Sequence, residues 1–321
     1  MRSELHKQNL PLNERVAYDR LRKGIADFQQ SIKLPFVSDK NLTAIYNAVL
    51  YDHPELFYTT EFRYTTGKLL STTCSPVYTC SPAFAKEGIK KAMERLKGLL
   101  NIAANLSEYE KELAVHDFLC REVRYSTEMG KDAYNIIGAL IYGASVCEGI
   151  AKAAKFIFDQ LEVESCVVGG EAKNPSLRRE EKHAWNIVRI NGDHYHLDIT
   201  FDNTIRKNTL RYDYFNLSDN EISYDHTIIE KPNVKCEKNE LHYYRVNNLV
   251  MNKQKDFSDL LKSGTKKGQR NFVLKLPDVA DKKGAAGKVM KILEEILNSS
   301  SMSGYEISYN EYQLVFEIDF K

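Results

Sequence analysis

The chain has 321 residues, of which 43% are hydrophobic and 28% charged, and its formal net charge at pH 7 is +1. This length accommodates about two domains with a well-buried core, and the composition is that of a soluble globular protein rather than a disordered one. Because the chain is almost neutral, its charge gives no reason to expect nucleic acid or an anionic membrane as a partner.

The N-terminal residues lack the apolar stretch of a secretory signal, and no apolar run approaches the roughly 18 residues that cross a bilayer. We therefore expect a cytoplasmic protein without a membrane span; the alternative is a secreted or cell-surface protein whose leader has been removed. The six cysteines form neither a disulfide framework nor a paired-cysteine zinc motif. We expect reduced thiols, with Cys120 and Cys166 buried in the core.

Apolar residues at helical spacing and turn signals predict the elements of the first third of the chain. A helix that ends at Asp52-His53-Pro54 precedes a hairpin around Thr66-Gly67. Ser107 and Glu110 fit a capping box, in which each side chain satisfies a free backbone N–H, so a further helix begins there. The predicted elements are a helix over 42–49, strands over 57–64 and 69–74, and helices over 89–100 and from 107 onward.

The segment Gly143-Ala144-Ser145-Val146-Cys147-Glu148-Gly149 opens an apolar helix. We interpret Ser145 and Glu148 as a second capping box, which places Cys147 in the first helical turn. There the positive end of the helix dipole and the unpaired backbone N–H groups stabilise a negative sulfur. The N–H of Cys147 itself would also be free to hold the negative oxygen of a tetrahedral intermediate.

Two strand-like stretches flank Asn191-Gly192 and predict a β-hairpin that spans Lys182 to Phe201. A two-residue turn fixes the register, which puts Trp185 opposite Asp198 and sets His183 diagonal to Asp198, within reach of a side-chain contact. We expect this polar face of the hairpin to line a cleft, and the other face to be core.

A cysteine at a helix N-terminus, followed by His183 and Asp198 on adjacent strands, supplies a nucleophile, a base and an orienting acid. Trp185 shares the face of His183, where it would either shield the histidine–aspartate contact from water or serve only as a large packing residue. Glu148 and Tyr142 are further residues expected to line the site. Tyr142 or Tyr125 is a candidate second donor to the oxyanion, because each precedes the cysteine in the chain.

Three segments resemble the transglutaminase-like superfamily, and in particular its bacterial members: Val146-Cys147-Glu148-Gly149-Ile150-Ala151-Lys152, His183-Ala184-Trp185-Asn186 and His196-Leu197-Asp198-Ile199-Thr200-Phe201-Asp202. The resemblance extends over roughly residues 40–230. It implies an α+β, papain-type core in which the helix with the cysteine packs on an antiparallel sheet, and a catalytic triad of Cys147, His183 and Asp198. It also implies a protein or peptide substrate; we expect no cofactor and no metal.

Two polar stretches are predicted to be irregular. The charged run 171–182 would be a solvated loop, with a position at the rim of the substrate cleft as the alternative, and residues 229–239 would be a linker. Beyond the linker the predicted elements are a helix over 255–261, a strand over 272–276, a helix over 289–297 and strands over 306–309 and 313–319. The sequence thus predicts a helical and hairpin extension over 1–105, a catalytic core over 106–230 and a small α+β domain over 240–321.

Several functions remain open at this point. The favoured one is hydrolysis of peptide or carboxamide bonds, because water is the default acceptor for an acyl group. Transfer of the acyl group to an amine, as in a transglutaminase, is the first alternative. The second is a zinc site built from His183, His194, His196 and Asp198, with Cys147 as a further ligand. The third is a peptide-binding or scaffold protein that retains the site without turnover. The oligomeric state is not encoded in these patterns.

Overall fold

The computed structural model describes residues 3–67, 71–173, 180–207, 209–279, 281–299 and 302–321. It is 47% helical and 25% strand, so the expected mixture of helix and sheet is confirmed. None of the helices within these ranges is long and apolar enough to cross a membrane.

The helices and strands of the described ranges are numbered in chain order. The α-helices are α1 (Leu5–Asn9), α2 (Leu12–Ala26), α3 (Asp39–Asp52), α4 (Pro82–Ala103), α5 (Glu108–Glu122), α6 (Cys147–Gln160), α7 (Ile199–Ile205), α8 (Asp219–Ile222), α9 (Tyr243–Val246), α10 (Gln254–Lys266) and α11 (Lys282–Asn298). The strands are β1 (Ile32–Pro35), β2 (Thr59–Thr66), β3 (Ser71–Tyr78), β4 (Arg124–Tyr125), β5 (Ala144–Ser145), β6 (Ser165–Lys173), β7 (Glu180–Ile190), β8 (Asp193–Leu197), β9 (Phe215–Leu217), β10 (His226–Glu230), β11 (Asn271–Lys275), β12 (Tyr305–Asn310) and β13 (Val315–Phe320).

The first third of the chain folds largely as its local signals predict. Helix α3 ends at Asp52, and β2 and β3 pair as an antiparallel hairpin. The predicted second strand began at Leu69, which lies outside the described residues, and β3 continues to Tyr78. Ser107 and Glu110 form the capping box at the start of α5.

The central sheet has the strand order β10-β6-β7-β8-β9, and all of its neighbours are antiparallel. The hairpin turn is as predicted, because Ile190 pairs with Asp193 around Asn191 and Gly192, both of which have positive φ. Helix α6 packs on this sheet. The amide of Asn186 on β7 donates hydrogen bonds to two backbone carbonyls, one on α6 (3.0 Å) and one on β6 (3.2 Å), and so ties the helix to two strands.

The predicted second strand of the hairpin is too long. Strand β8 ends at Leu197, and Asp198 is the N-cap of α7, with its side chain accepting a hydrogen bond from the N–H of Phe201 at 3.1 Å. The pairing of Trp185 with Asp198 therefore does not form. The reason is local: an aspartate that accepts the N–H three residues later starts a helix in preference to extending a strand.

The polar face of the hairpin is not an open cleft, contrary to the sequence-based expectation. Trp185 is 1% exposed, and it packs in a buried cluster with Leu5 from α1 and Cys236. The predicted linker 229–239 is also not a free connection. Its first residues belong to β10, and Cys236 packs against the central sheet. The charged run 171–182 is also not simply a loop, since its ends belong to β6 and β7 and its centre, with Arg178 and Arg179, lies outside the described residues.

The C-terminal elements match the predicted order. A sheet of order β11-β13-β12 packs with α10 and α11 around one apolar cluster. Buried Arg211 contacts Asp213 and, at 3.2 Å, Glu317 on β13, so a buried ion pair connects this sheet to the preceding part of the chain. The division of the chain at residues 105 and 230–240 stays a prediction.

Gly170 on β6 is expected to be sensitive to substitution. A Cβ there would lie 2.2 Å from the carbonyl oxygen of Thr227 on β10 and 2.9 Å from the ring of Trp185. We expect Gly170→Ala to lower the free energy of unfolding by about 1–3 kcal/mol, because strand and ring must both move. In Gly98→Ala, on α4, the new methyl meets no atom within 4 Å, so this control should be neutral or stabilising by up to about 1 kcal/mol. Urea unfolding of both variants measures the difference, and equal effects would contradict the packing.

Candidate active site

Cys147 is the first residue of α6, in the first turn as predicted, but the predicted capping box is wrong. Val146 is the N-cap and offers no side-chain hydrogen bond. The hydroxyl of Ser145 donates instead to the carbonyl of Ala133 at 2.6 Å, and Glu148 accepts a hydrogen bond from Lys152 at 2.5 Å. The start of the helix is therefore fixed by a contact with a distant turn rather than by its own side chains.

The turn that contains Ala133 fixes the positions of the two residues before Cys147. The carbonyl of Ala133 also accepts the N–H of Val146 at 3.0 Å. A Cβ on Gly149 would lie 2.1 Å from the Ser145 hydroxyl oxygen and 2.5 Å from the Ala133 carbonyl oxygen, so only glycine fits there. Helical hydrogen bonding begins with the N–H of Ile150 donating to Val146, which leaves the N–H of Cys147 among the free donors of the first turn.

The structure brings Cys147, His183 and Asp198 together. Nε2 of His183 donates to Oδ2 of Asp198 at 2.7 Å, and the side chain of Cys147 lies close enough to His183 to raise the pKa of its imidazole. Because Asp198 takes Nε2, the ring nitrogen left for the sulfur is Nδ1. The thiol is partly exposed, whereas the His183 and Asp198 side chains are 7% and 0% exposed.

The three groups determine one another's protonation. Burial lowers the pKa of His183, but the Asp198 carboxylate and then Cys147 outweigh it and raise this pKa to about 10. Burial likewise opposes ionisation of Asp198, but its contacts with His183 and His226 hold the pKa of this carboxyl well below its usual range. At neutral pH the site therefore contains an imidazolium beside a carboxylate.

Asp198 has a second imidazole partner, which the sequence analysis missed. Nε2 of His226, on β10, lies 3.1 Å from Oδ2 of Asp198, and Nδ1 of His226 lies 2.7 Å from Asp225. Strand β10 reaches the site only because it pairs with β6 at the edge of the sheet. The available signal was the run of β-branched residues Thr227, Ile228 and Ile229 directly after His226, at the start of the stretch taken for a linker and just before it.

The other residues predicted to line the site differ in their exposure and in the groups that they contact. The ring of Trp185 stacks on His183 with a centroid distance of 5.9 Å. Glu148 is paired with Lys152 beside the cysteine. Tyr142 is exposed, in a π-helical turn. Tyr125 lies in β4 opposite Ser145, and burial and then the charge of Cys147 raise its pKa to about 12, so this tyrosine is close to the thiol.

The ligand set proposed for zinc does not converge within the described residues. Nε2 of His194 lies 3.1 Å from Glu164. Two other groups bring three ligand atoms together: His183, Asp198 and His226, and a group of His196, Asp219 and Cys236.

In the second group, the indole N–H of Trp185 donates to Nδ1 of His196 at 3.0 Å. Tryptophan is only a donor, so neutral His196 carries its proton on Nε2, which contacts Asp219 at 3.0 Å. Burial lowers the pKa of His196, in keeping with this neutral form. Its Nε2 therefore has no lone pair to offer a metal.

Comparison with known proteins agrees with the resemblance noted in the sequence. Residues 100–199, which contain all three residues of the site, match the family model of the transglutaminase-like superfamily. This stretch is therefore similar to a superfamily that is generally enzymatic. No curated protein matches the sequence.

Two solved structures are similar to parts of the chain. One, named a "putative cysteine protease" from Cytophaga hutchinsonii, is 13% identical, with a TM-score of 0.30, over 44% of this chain and 61% of that chain. The other, named a TGase, is 14% identical, with a TM-score of 0.33, over 56% of this chain and 53% of that chain. The chain thus matches less than two thirds of the length of either protein.

The pair of His183 and Asp198 predicts a pH dependence of stability. The folded-state pKa of His183 is raised from 6.5 to about 10, so its stabilising contribution is fully present below about pH 6.5 and is lost as the pH rises through 10. The pKa of Asp198 is depressed below its ordinary 3.8, so its contribution is present above that value and is lost on acidification.

We therefore expect the stability difference between wild type and His183→Gln, on the order of a few kcal/mol, to be largest between about pH 4 and 6.5. It should shrink steadily toward pH 10. Urea unfolding at several pH values measures it, and a difference that grows above pH 7 would contradict the charged pair.

Proposed function

We propose that the protein is a thiol-dependent acyl-transfer enzyme of papain-type arrangement, which most readily hydrolyses peptide or carboxamide bonds. The observation that carries this proposal is the hydrogen bond between His183 and Asp198, with Cys147 beside His183 as the first residue of a helix. The match of residues 100–199 to the transglutaminase-like superfamily supports it.

The geometry suggests a role for each group. The sulfur of Cys147, as thiolate, attacks the carbonyl carbon, and the N–H of Cys147 holds the oxygen that becomes negative. His183 gives its Nδ1 proton to the leaving amine, the carbon–nitrogen bond breaks, and a thioester remains. A water molecule then attacks the thioester while His183 takes a proton from it, which releases the acid and restores the thiolate–imidazolium pair. Asp198 orients the ring and stabilises its charge.

An amine in place of water would give the transglutaminase reaction from the same thioester. Incubation with glutamine-containing peptides in ¹⁸O-labelled water, with and without a primary amine, separates the two by mass spectrometry. Incorporation of ¹⁸O in both samples supports hydrolysis. An amine adduct that replaces it would assign the transferase, and no thioester with any peptide would favour a peptide-binding or scaffold role.

Cys147 is expected to be the most reactive thiol of the protein. It is partly exposed at a helix start, whereas burial raises the pKa of Cys74 and Cys166 to about 12 and also raises the pKa of Cys80 and Cys236. Iodoacetamide at pH 6 should modify Cys147 first, as mapped by peptide mass spectrometry.

The Cys147→Ser variant should lose this rapid phase. Cys80→Ser is the matched control, because Cys80 is the other partly exposed cysteine among the described residues, and it should keep the phase. Faster labelling of Cys80 in the wild-type protein would remove the nucleophile from the proposal.

Asp198→Asn is expected to slow formation of the thioester by about 10²–10⁴, because an amide favours the wrong tautomer of His183 and does not stabilise imidazolium. Asp198 is fully buried and accepts hydrogen bonds from two histidines and a helix N–H. We therefore expect a lower melting temperature as well.

Asp202→Asn is the matched control. Asp202 is also fully buried on α7, and it also contacts a histidine, His116, at 3.2 Å. This variant should lose stability without a comparable loss of acylation rate. Equal rate losses in the two variants would show that damage to α7, rather than loss of the orienting carboxylate, slows the reaction.

A further inference from the structure

His226 is a buried charged group that the proposed mechanism does not use. It is 4% exposed, on β10, and each of its ring nitrogens faces a carboxylate, Nε2 facing Asp198 at 3.1 Å and Nδ1 facing Asp225 at 2.7 Å. An ionised carboxylate can only accept hydrogen bonds. For both contacts to be hydrogen bonds, His226 must carry a proton on each nitrogen, and so a positive charge.

The surroundings of His226 fix its position. Its ring lies edge-on to Trp185, with centroids 5.0 Å apart, and 4.8 Å from the ring of Phe201. Asp225 is held in turn by the hydroxyl of Tyr214, which donates to Oδ2 at 2.5 Å. The imidazole therefore has little freedom to leave Asp198, and burial of its charge is offset by two carboxylates.

His183 and His226 contact the same oxygen of the same carboxylate. Both Nε2 atoms point to Oδ2 of Asp198, at 2.7 and 3.1 Å, and the two ring centroids are 5.4 Å apart. A second imidazolium at this distance repels the proton on His183 and takes part of the carboxylate's hydrogen-bonding capacity. It therefore opposes the effect of Asp198, which on its own would bind that proton more tightly.

We propose that His226, kept charged by Asp225, is a positioning residue of the site: it fixes the Asp198 carboxylate and weakens the hold of Asp198 on the His183 proton. This inference rests on the proposed function, in which His183 must release that proton to a leaving amine. An imidazolium that holds its proton too tightly is a poor general acid. His226 thus acts on the reaction only through Asp198 and His183.

Among the residues that the structure describes, a small set of titratable and charged groups acts on His226 and its partners. Asp198, Asp225 and His183 contact or face His226 directly, and His196 interacts with it electrostatically. Asp225 is faced by the Tyr214 hydroxyl and, electrostatically, by Lys282. Cys147 acts electrostatically on His183, and Tyr125 interacts electrostatically with Cys147 and Asp198.

The test is the pH dependence of the rate at which iodoacetate alkylates Cys147. This reagent is an anion, so the rate should fall at alkaline pH where His183 loses its proton, and the midpoint of that fall reports His183. In His226→Gln we expect the midpoint to move upward by about one pH unit, because a nearby positive charge is removed. Asp225→Asn should move it in the same direction, because His226 then sheds its proton more easily, and this variant decides the question if His226→Gln does not fold.

His116→Gln is the matched control. His116 is fully buried and also lies between two aspartates, Asp117 at 3.1 Å and Asp202 at 3.2 Å. We expect it to lower the melting temperature and to leave the midpoint unchanged. Midpoints equal to wild type in His226→Gln and Asp225→Asn, or an equal shift in His116→Gln, would overturn the inference. A wild-type rate with no alkaline fall would instead overturn the proposed function, and with it the need for His226.

Discussion

The carboxylate of Asp198 is a negative charge with no exposure to water, and the arrangement around it follows from that constraint. Burial alone would favour the protonated acid. Hydrogen bonds from His183, His226 and the N–H of Phe201 reverse this preference. Because removing one partner of a buried charge leaves the other uncompensated, the positions of both imidazoles depend on this one carboxylate.

Helix α7 carries that carboxylate and is held at two points. Asp198 caps it, and Asp202, one turn later, is bonded to His116 of α5. Tyr214 connects the two aspartates, since its N–H donates to Asp202 at 3.1 Å and its carbonyl accepts the N–H of Asp198 at 3.0 Å. Helices α5 and α7 both pack against α6, so the contacts that position Asp198 also support the helix that presents Cys147.

Local rules in the sequence account for part of this site. The helix start predicted for Cys147 and the register of the Asn191-Gly192 turn both appear in the structure. The failures at Ser145 and Asp198 share a cause: a short polar side chain can bond either within its own segment or to a more distant group, and spacing alone does not decide which. Ser145 takes a carbonyl 12 residues away, and Asp198 takes an N–H three residues ahead.

The burial of the polar face and the role of β10 are harder to predict, because both depend on pairing between segments far apart in the chain. Leu5, near the start of the chain, packs on the central sheet, and His226 comes next to Asp198 because β10 pairs with β6. Periodicity describes which face of an element is apolar, but it does not identify what covers the other face. Gly170 shows how tight this layer is, since a single methyl group there would meet both the neighbouring strand and Trp185.

The exposure of the site decreases from the sulfur inward, and this has a consequence for the proposed reaction. Cys147 is partly exposed, while His183 and Asp198 are shielded from water. Hydrogen bonds to charged groups are stronger in such a water-free interior. In the proposed reaction the sulfur becomes a thioester and His183 gives up its proton, so the negative and the positive charge of that pair are lost together. Asp198 then keeps one charged partner, His226, which is itself held by Asp225. A second imidazolium thus prevents the buried carboxylate from being left unpaired in the step where the first one must lose its charge.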